Sequence, residues 1–484
     1  MSKHESKPGE LMTSSEGASP KINFVKEILA GLTVSFVAIS LGAAFGVMSG
    51  RGALSGILSA GVIALITAIL GGTRIQCSGP TAPMTAVTVV MIGLIGTGYL
   101  KDVPNANSDH FLNIVLILTG AMLVLAAVLR LGKFINLVPK VVISGFMNGI
   151  AVLIWVGEVK TLFGLNSEKD SSGVELVDAA GNPLPDILGG GIGINLAVAM
   201  GTVAMCFLLP SLLKRIDKRL ASFLPGTLVA IVLVSAGVFL TGLNMEKVAL
   251  GGSLSSVTDL TTLVQEQIPT GWSVQLILLA LPFAAQLAML AYLDTLLTSL
   301  VVDQKVQKMY GTDEKTAQNK ELAAQGVANS AVALFGGIPG AQATIRSVLI
   351  LNEGAMTRIA GVMVGLFVLV EMILFQDLIT AIPKAVFSGV LIKVGYDVFD
   401  WTPVRIYFKE LRQGFVPNAT QKTGKPMITH LNIVFILGTT LVTVLWNLNV
   451  AVIVFCILFY LLKVFVPIHD LEEATETEGL IDEV

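Results

Sequence analysis

Residues Leu276 to Val302, LILLALPFAAQLAMLAYLDTLLTSLVV, form an apolar stretch whose only charged residue is Asp294. At 1.5 Å per residue, a helix of about 20 apolar residues crosses a bilayer, so this stretch is long enough to span one. A carboxylate near the middle of such a helix costs roughly 2.5–3.5 kcal/mol on insertion scales. It is therefore expected to face a polar cavity or to pair with a cation. Thr298 follows one turn later on the same helix face. Carboxylate and hydroxyl oxygens together are the ligands that hard cations such as sodium prefer. The plainer alternative is that Asp294 caps a broken helix or bonds a neighbouring backbone.

The rest of the chain has the same character. Of 484 residues, 54% are hydrophobic and only 13% charged, where a soluble protein carries about a quarter charged residues. Mean hydropathy is +0.79. This composition describes an all-α polytopic membrane protein. Cys77, Cys206 and Cys456 lie in or beside apolar segments without a CxxC spacing, and the four histidines are well separated. The sequence thus shows no disulfide framework and no zinc or haem signature. A membrane enzyme needs a nucleophile with its base, or a metal cluster, and neither is visible, so no enzyme is expected. The first 21 residues are polar and lack the apolar core of a signal peptide.

Fourteen segments are expected to be membrane helices, near 26–46, 53–71, 80–97, 110–130, 138–163, 192–212, 224–242, 274–302, 319–335, 342–353, 357–376, 380–397, 429–446 and 448–466. Lys and Arg concentrate in alternate loops: Arg130 and Lys133; Lys214, Arg215, Lys218 and Arg219; Lys305, Lys308 and Lys315; Arg405, Lys409, Arg412, Lys422 and Lys425. The loops between them carry one lysine each, Lys101, Lys169 and Lys247. By the positive-inside rule both termini are cytoplasmic.

Two short echoes relate the halves of the chain. Pro139-Lys140-Val141-Val142-Ile143-Ser144-Gly145 returns as Pro383-Lys384-Ala385-Val386-Phe387-Ser388-Gly389, and Leu70-Gly71-Gly72 as Phe335-Gly336-Gly337. Seven segments per half make the second copy enter the membrane from the opposite side, which is the inverted-repeat plan of secondary transporters. After each Gly-Gly comes an oddly composed piece, TRIQCSGPTAPMT at 73–85 and IPGAQATIRS at 338–347. Each reads as a short extended run followed by a helix that begins inside the bilayer. Such a helix start presents free N–H groups and about half a positive charge. Two of them facing each other make an anion site without a basic side chain. Two kinked helices with packing glycines are the alternative. A channel would need rings of polar residues along a pore, and one lone Asp with two broken helices suits a closed binding site better.

These residues resemble the SulP anion transporters, the sulphate permease group, in GPTAPMT at 79–85, ISGFMNGIAV at 143–152, LDTLLTSLVVD at 293–303 and GGIPGAQATIRS at 336–347. The resemblance runs from about residue 25 to 466. It implies 14 transmembrane helices in two inverted seven-helix repeats (about 25–245 and about 270–466), with core and gate domains and short extended pieces before helices 3 and 10. It further implies an elevator-like motion of core against gate, possible homodimers, a bacterial inner membrane location and a small inorganic anion as substrate. Residues 1–24 are then a flexible cytoplasmic N-terminus and 467–484 a short acidic tail, expected to be dispensable, in place of the family's STAS domain.

Within that family the chain is similar to sodium-dependent bicarbonate transporters of the cyanobacterial type. That likeness implies a sodium site at Asp294, Thr298, Gln342 and Thr344. It implies anion contacts at Thr81, Ala82, Ala343 and Thr344, with Phe45 and Arg346 nearby. Gln342 stands where that group tends to have Gly, and Ser40 and Leu41 replace a Pro and often a Gln of many relatives. The uracil/xanthine and borate permeases share the architecture but carry their carboxylates in other motifs.

Charge counting points toward a monovalent anion. Asp294 as −1, sodium as +1 and two helix ends at roughly +0.5 each sum to about +1. Sulphate would leave about one negative charge over unless Arg346 points inward, and an unbalanced buried charge is costly. Arg346 alternatively serves the cytoplasmic rim. The expected function is sodium-coupled bicarbonate uptake, with a sulphate or other oxyanion or dicarboxylate permease as the alternative.

Overall fold

A helix forms at each of the fourteen apolar segments. The computed structural model describes residues 24–103, 107–163, 165–167, 185–187, 191–216, 226–243, 245, 247, 257–270, 272–311, 315–412, 428–446, 448–465 and 470–471. The polar N-terminus up to residue 23, the loop cations Lys169, Lys218, Arg219, Lys422 and Lys425, and the tail from 472 onward lie outside the described residues.

The helices before the midpoint are α1 (Phe24–Ser49), α2 (Ala53–Leu70), α3 (Ala82–Gly96), α4 (Ser108–Val128), α5 (Lys140–Leu162), α6 (Gly191–Ile216) and α7 (Gly226–Leu240). A short helix α8 (Val257–Gln267) leads into α9 (Val274–Tyr310), α10 (Gln318–Ala333), α11 (Thr344–Asn352) and α12 (Arg358–Leu374). The chain continues through α13 (Gln376–Thr380), α14 (Lys384–Val398), α15 (Trp401–Arg412), α16 (His430–Leu445) and α17 (Leu448–Phe465). Strands β1 (Ser78–Pro80) and β4 (Gly340–Gln342) form one two-stranded sheet, and β2 (Leu165–Ser167) and β3 (Pro185–Ile187) another. Length and apolar composition mark six helices as membrane-crossing (α1, α2, α4, α5, α6 and α9), with four shorter apolar ones beside them.

Two details differ from the apolar pattern. Helix α9 runs eight residues past Val302, because DQKVQKMY at 303–310 is polar yet helix-forming, and it stops at Gly311 with φ 66°. The tail does not simply hang free either. Asp470 accepts hydrogen bonds from the backbone N–H groups of Lys140 (2.8 Å) and Val141 (3.1 Å), capping α5, and Leu471 is buried. Asp470 thus belongs to the folded body and not to a free tail.

The helices pack as two bodies, α1–α4 with α9–α12, and α5–α7 with α14, α16 and α17. Close approach rests on small residues. A Cβ on Gly56 would fall 1.9 Å from the Gly42 carbonyl oxygen, so α1 and α2 touch backbone to backbone there. Both copies of the PK-x-V-x-SG echo begin a helix, α5 and α14. Trp155 Nε1 donates to the Ile392 carbonyl (3.1 Å) and the Asp400 N–H to Asn148 Oδ1 (2.7 Å). Later residues of α5 meet earlier residues of α14, so the two helices run antiparallel, as inverted repeats require.

Candidate functional site

The two broken segments meet at one small sheet. Strands β1 and β4 pair antiparallel in the register Ser78 to Gln342, Gly79 to Ala341 and Pro80 to Gly340. A Cβ on Gly340 would lie 2.4 Å from the Gly79 carbonyl, so only glycine allows the pairing. The contact extends past β4, where the Ala343 N–H donates to the Cys77 carbonyl (3.0 Å) and Ser347 Oγ accepts from the Cys77 N–H (3.0 Å). Helix α3 leaves from the Pro80 end and α11 from the Gln342 end, two residues apart along the ladder, or roughly 7 Å. Their N-caps, Thr81 and Ala343, supply no side-chain cap, and Pro83 lies in the first turn of α3. At about 22 Å and 14 Å by rise per residue, these helices of 15 and 9 residues are too short to cross a bilayer. Their first N–H groups therefore point into the interior beside one another, the arrangement that holds an anion.

Helix α9 closes one side of this site. Thr298 Oγ1 and Thr344 Oγ1 share a hydrogen bond of 2.7 Å, joining α9 to the first residue of α11. One turn back, Asp294 lies beside Thr81 and within electrostatic reach of Arg346. Its Oδ2 is buried with no hydrogen-bond partner, and Thr81 Oγ1 is in the same condition. Thr295 Oγ1 accepts from the Gln342 N–H (3.3 Å), pinning β4 to the same helix. Asp294, Thr298, Thr344, Thr81, Ala82 and Ala343 thus gather around the paired helix starts. Phe45 is buried on α1, which packs against both α3 and α11.

Two predicted residues are placed differently from the rest. The Gln342 side-chain oxygen accepts from Thr73 Oγ1 (3.4 Å), and its Nε2 has no partner. Thr73 Oγ1 in turn lies 3.2 Å from Thr316 Oγ1, whose hydroxyl donates to Asp303 (2.7 Å), so this side chain joins a polar chain beside the site. Arg346 is 1% exposed, which excludes the rim position. It reaches across to the first repeat, where Nη2 donates to the Pro80 carbonyl (2.9 Å) at the head of α3. Its Nε and Nη1 have no hydrogen-bond partner.

A buried polar network behind the sheet was not read from the sequence. The Glu321 carboxylate accepts from the N–H groups of Gly72 (2.8 Å) and Thr73 (2.9 Å) and from Gln76 Nε2 (3.0 Å) and Gln325 Nε2 (3.1 Å). Gln325 Nε2 also donates to Ser78 Oγ (2.6 Å), and Asn329 exchanges two 2.9 Å bonds with the Gly340 backbone. Glu321, Gln325 and Asn329 recur every four residues in α10, a polar stripe that was the available signal. Arg51 was also missed. From the α1–α2 turn it donates to the Gly337 carbonyl (2.8 Å) and Asn113 (3.0 Å) and pairs with Asp109 (3.3 Å). Burial lowers its pKa from the ordinary guanidinium value, and Asp109 opposes that shift.

Thr344 opens onto a cavity of about 650 Å³ lined also by Lys140, Ser144, Val301, Asp400 and Arg405. A second cavity of about 650 Å³ lies at the other end of the two bodies, lined by Val87, Glu158, Phe283, Lys384 and Ser388. Two half-helix starts, a carboxylate and a hydroxyl pair beside a cavity suit binding and release of a small ion.

Residues 24–412 match the model of the sulfate permease family. The chain belongs to that family. It is similar to the bicarbonate transporter BicA of Picosynechococcus sp., with 31% identity over 382 residues, 78% of this chain and 62% of the relative. The putative sulfate transporter YvdB of Bacillus subtilis is 29% identical over 381 residues, 78% of this chain and 64% of that one. The chain therefore spans less than two thirds of the length of these sulfate permease relatives. Among solved structures, the transmembrane domain of a cyanobacterium bicarbonate transporter BicA superposes with a TM-score of 0.68 at 27% identity, covering 89% of this chain and 98% of that domain. SLC26A9, at 16% identity and a TM-score of 0.64, covers 91% of this chain and 65% of its own and shares the fold. This sulfate permease family member is thus a multi-pass membrane protein.

Proposed function

We propose that this chain takes up bicarbonate together with sodium, by displacement of the α1–α4 and α9–α12 body against the other. The observation that carries the coupling is the Thr298–Thr344 hydroxyl pair one turn from the unpartnered Asp294 oxygen. Three oxygen donors there suit sodium, and sodium bound to Thr344 would steady the start of α11, whose N–H groups face the anion. Likeness to the BicA transporters supports bicarbonate as the anion. The protein acts in a bacterial inner membrane with both termini in the cytoplasm, as a homodimer in keeping with the resemblance.

Arg346 supports a second reading. Its buried charge offsets Asp294, so the two helix ends alone hold roughly +1. With sodium bound the balance becomes about +2, which matches sulfate. On this count sulfate balances the sodium-loaded site, and bicarbonate balances the site without sodium.

Uptake into vesicles decides between them. Labelled bicarbonate should accumulate with an inward sodium gradient at constant pH, and excess sulfate should barely compete. Asp294→Asn should insert normally and lose sodium-stimulated uptake. Full sodium dependence in Asp294→Asn would remove the sodium site. Sulfate accumulation without bicarbonate uptake would make the chain a sulfate carrier.

A further inference from the structure

The repeated PK-x-V-x-SG segment places the same four side-chain positions at opposite ends of the protein. Lys140, Ile143, Ser144 and Met147 line the cavity that reaches Thr344. Their counterparts Lys384, Phe387, Ser388 and Leu391 line the other cavity. The correspondence extends to what holds each segment in place. Gly145 packs on Thr439 of α16, where a Cβ would come within 2.7 Å, and Gly389 packs on Thr202 of α6, also within 2.7 Å. Each glycine fixes its helix against a neighbour and turns the preceding serine toward the cavity. Ser144 is 3% exposed and Ser388 1% exposed, and neither Oγ has a hydrogen-bond partner. A buried hydroxyl left unpaired is costly unless a ligand or water completes it.

We infer that Ser144 and Ser388 are paired anion subsites of the α5–α7 and α14–α17 body, one serving each face. Ser144 meets the anion in the state described here, in which Thr344 shares its cavity, and Ser388 meets it when the site opens the other way. A hydroxyl opposite the helix starts donates to an oxyanion oxygen on the side those N–H groups do not reach. The charged surroundings differ between the faces. Lys140, Asp397, Asp400 and Arg405 border the Ser144 cavity, with Asp397 paired to Lys393. Glu158 stands beside Ser388, close enough to act on its hydroxyl, in the cavity that Lys384 also lines. The Ser388 subsite is thereby the weaker for an anion, and Glu158→Gln should strengthen it.

This inference rests on the proposed transport by displacement between two bodies, and sidedness tests it. In the intact chain, Ser144→Cys and Ser388→Cys are exposed to a membrane-impermeant cationic methanethiosulfonate in whole cells and in inverted vesicles. Unsubstituted protein, in which Cys77 and Cys206 are buried and Cys456 is half-buried, is the control for reaction at native thiols. Ser144→Cys should lose transport only in inverted vesicles and Ser388→Cys only in whole cells. Sodium with bicarbonate, or sodium sulfate in a parallel arm, should slow both reactions. Ser144→Ala and Ser388→Ala should each raise the half-saturating anion concentration about tenfold on its own face. Reaction of both cysteines from one face, or no protection by either anion in an actively transporting variant, would overturn the inference. Protection by sulfate alone would uphold it and reject bicarbonate as the substrate.

Discussion

Thr298 and Thr344 hold their hydroxyl oxygens 2.7 Å apart although 46 residues separate them in the chain. One lies inside an unbroken 37-residue helix and the other is the first residue of a nine-residue half-helix. The pair therefore ties a rigid support to a helix start in the proposed anion site. In the proposed function, a cation held there would couple the two directly.

That coupling can be measured. Thr298→Ala and Thr344→Ala should each raise the half-saturating sodium concentration about tenfold, with bicarbonate half-saturation rising in step. The double substitution should cost little more than either single one, because both remove the same contact. Multiplying effects in a sodium titration of uptake would show that the hydroxyls act separately.

Gly340→Ala should abolish transport. Its methyl would sit 2.4 Å from the Gly79 carbonyl, inside the β1–β4 pairing that sets the helix starts. The strain is about 1–3 kcal/mol, read as a lower melting temperature in detergent. Gly96→Ala in α3, where a Cβ meets open space, is the control and should leave both melting and uptake unchanged.

Glu321→Gln should weaken the protein more than its conservative chemistry suggests. Four donors converge on that carboxylate, and the amide presents an N–H group to some of them. Losing one charge-assisted bond costs about 1.5–3 kcal/mol. Thermal unfolding and sodium-driven uptake should fall together. A melting temperature equal to that of the unsubstituted protein would contradict the network's role.

Asp470→Ala removes the cap from α5 and should cost about 1 kcal/mol. Truncation after Pro467 removes the same cap, whereas truncation after Leu471 retains it. Comparing the melting temperatures of the two truncated chains isolates this contact. Equal stability would mean that the cap contributes nothing.

Much of this architecture is local and was therefore legible in the chain. Apolar segments of bilayer length, alternating loop charge and Pro or Gly at the broken helices each depend only on neighbouring residues. So does the spacing of Asp294 and Thr298, one turn apart on one helix. The echoes at 139–145 and 383–389 also announced the inverted repeat, since both copies begin a helix. The end of α9 was misjudged because apolar character stops at Val302 while helix propensity continues to Tyr310.

What required the tertiary structure is everything that joins distant parts of the chain. The register of β1 against β4 depends on how closely two glycine-containing strands approach, which spacing does not state. Arg346 has one motif position but two reachable directions, and the packing of α11 turned it inward to Pro80 instead of outward to the rim. Glu321 gains its role only where the fold brings the backbone N–H groups of Gly72 and Thr73 to it. Asp470 read as part of an acidic tail until the fold brought the first turn of α5 beside it. The chain alone determined which groups were available. Long-range contacts decided which of them met, because a hydrogen bond fixes its partners only once the backbone has placed them within about 3 Å.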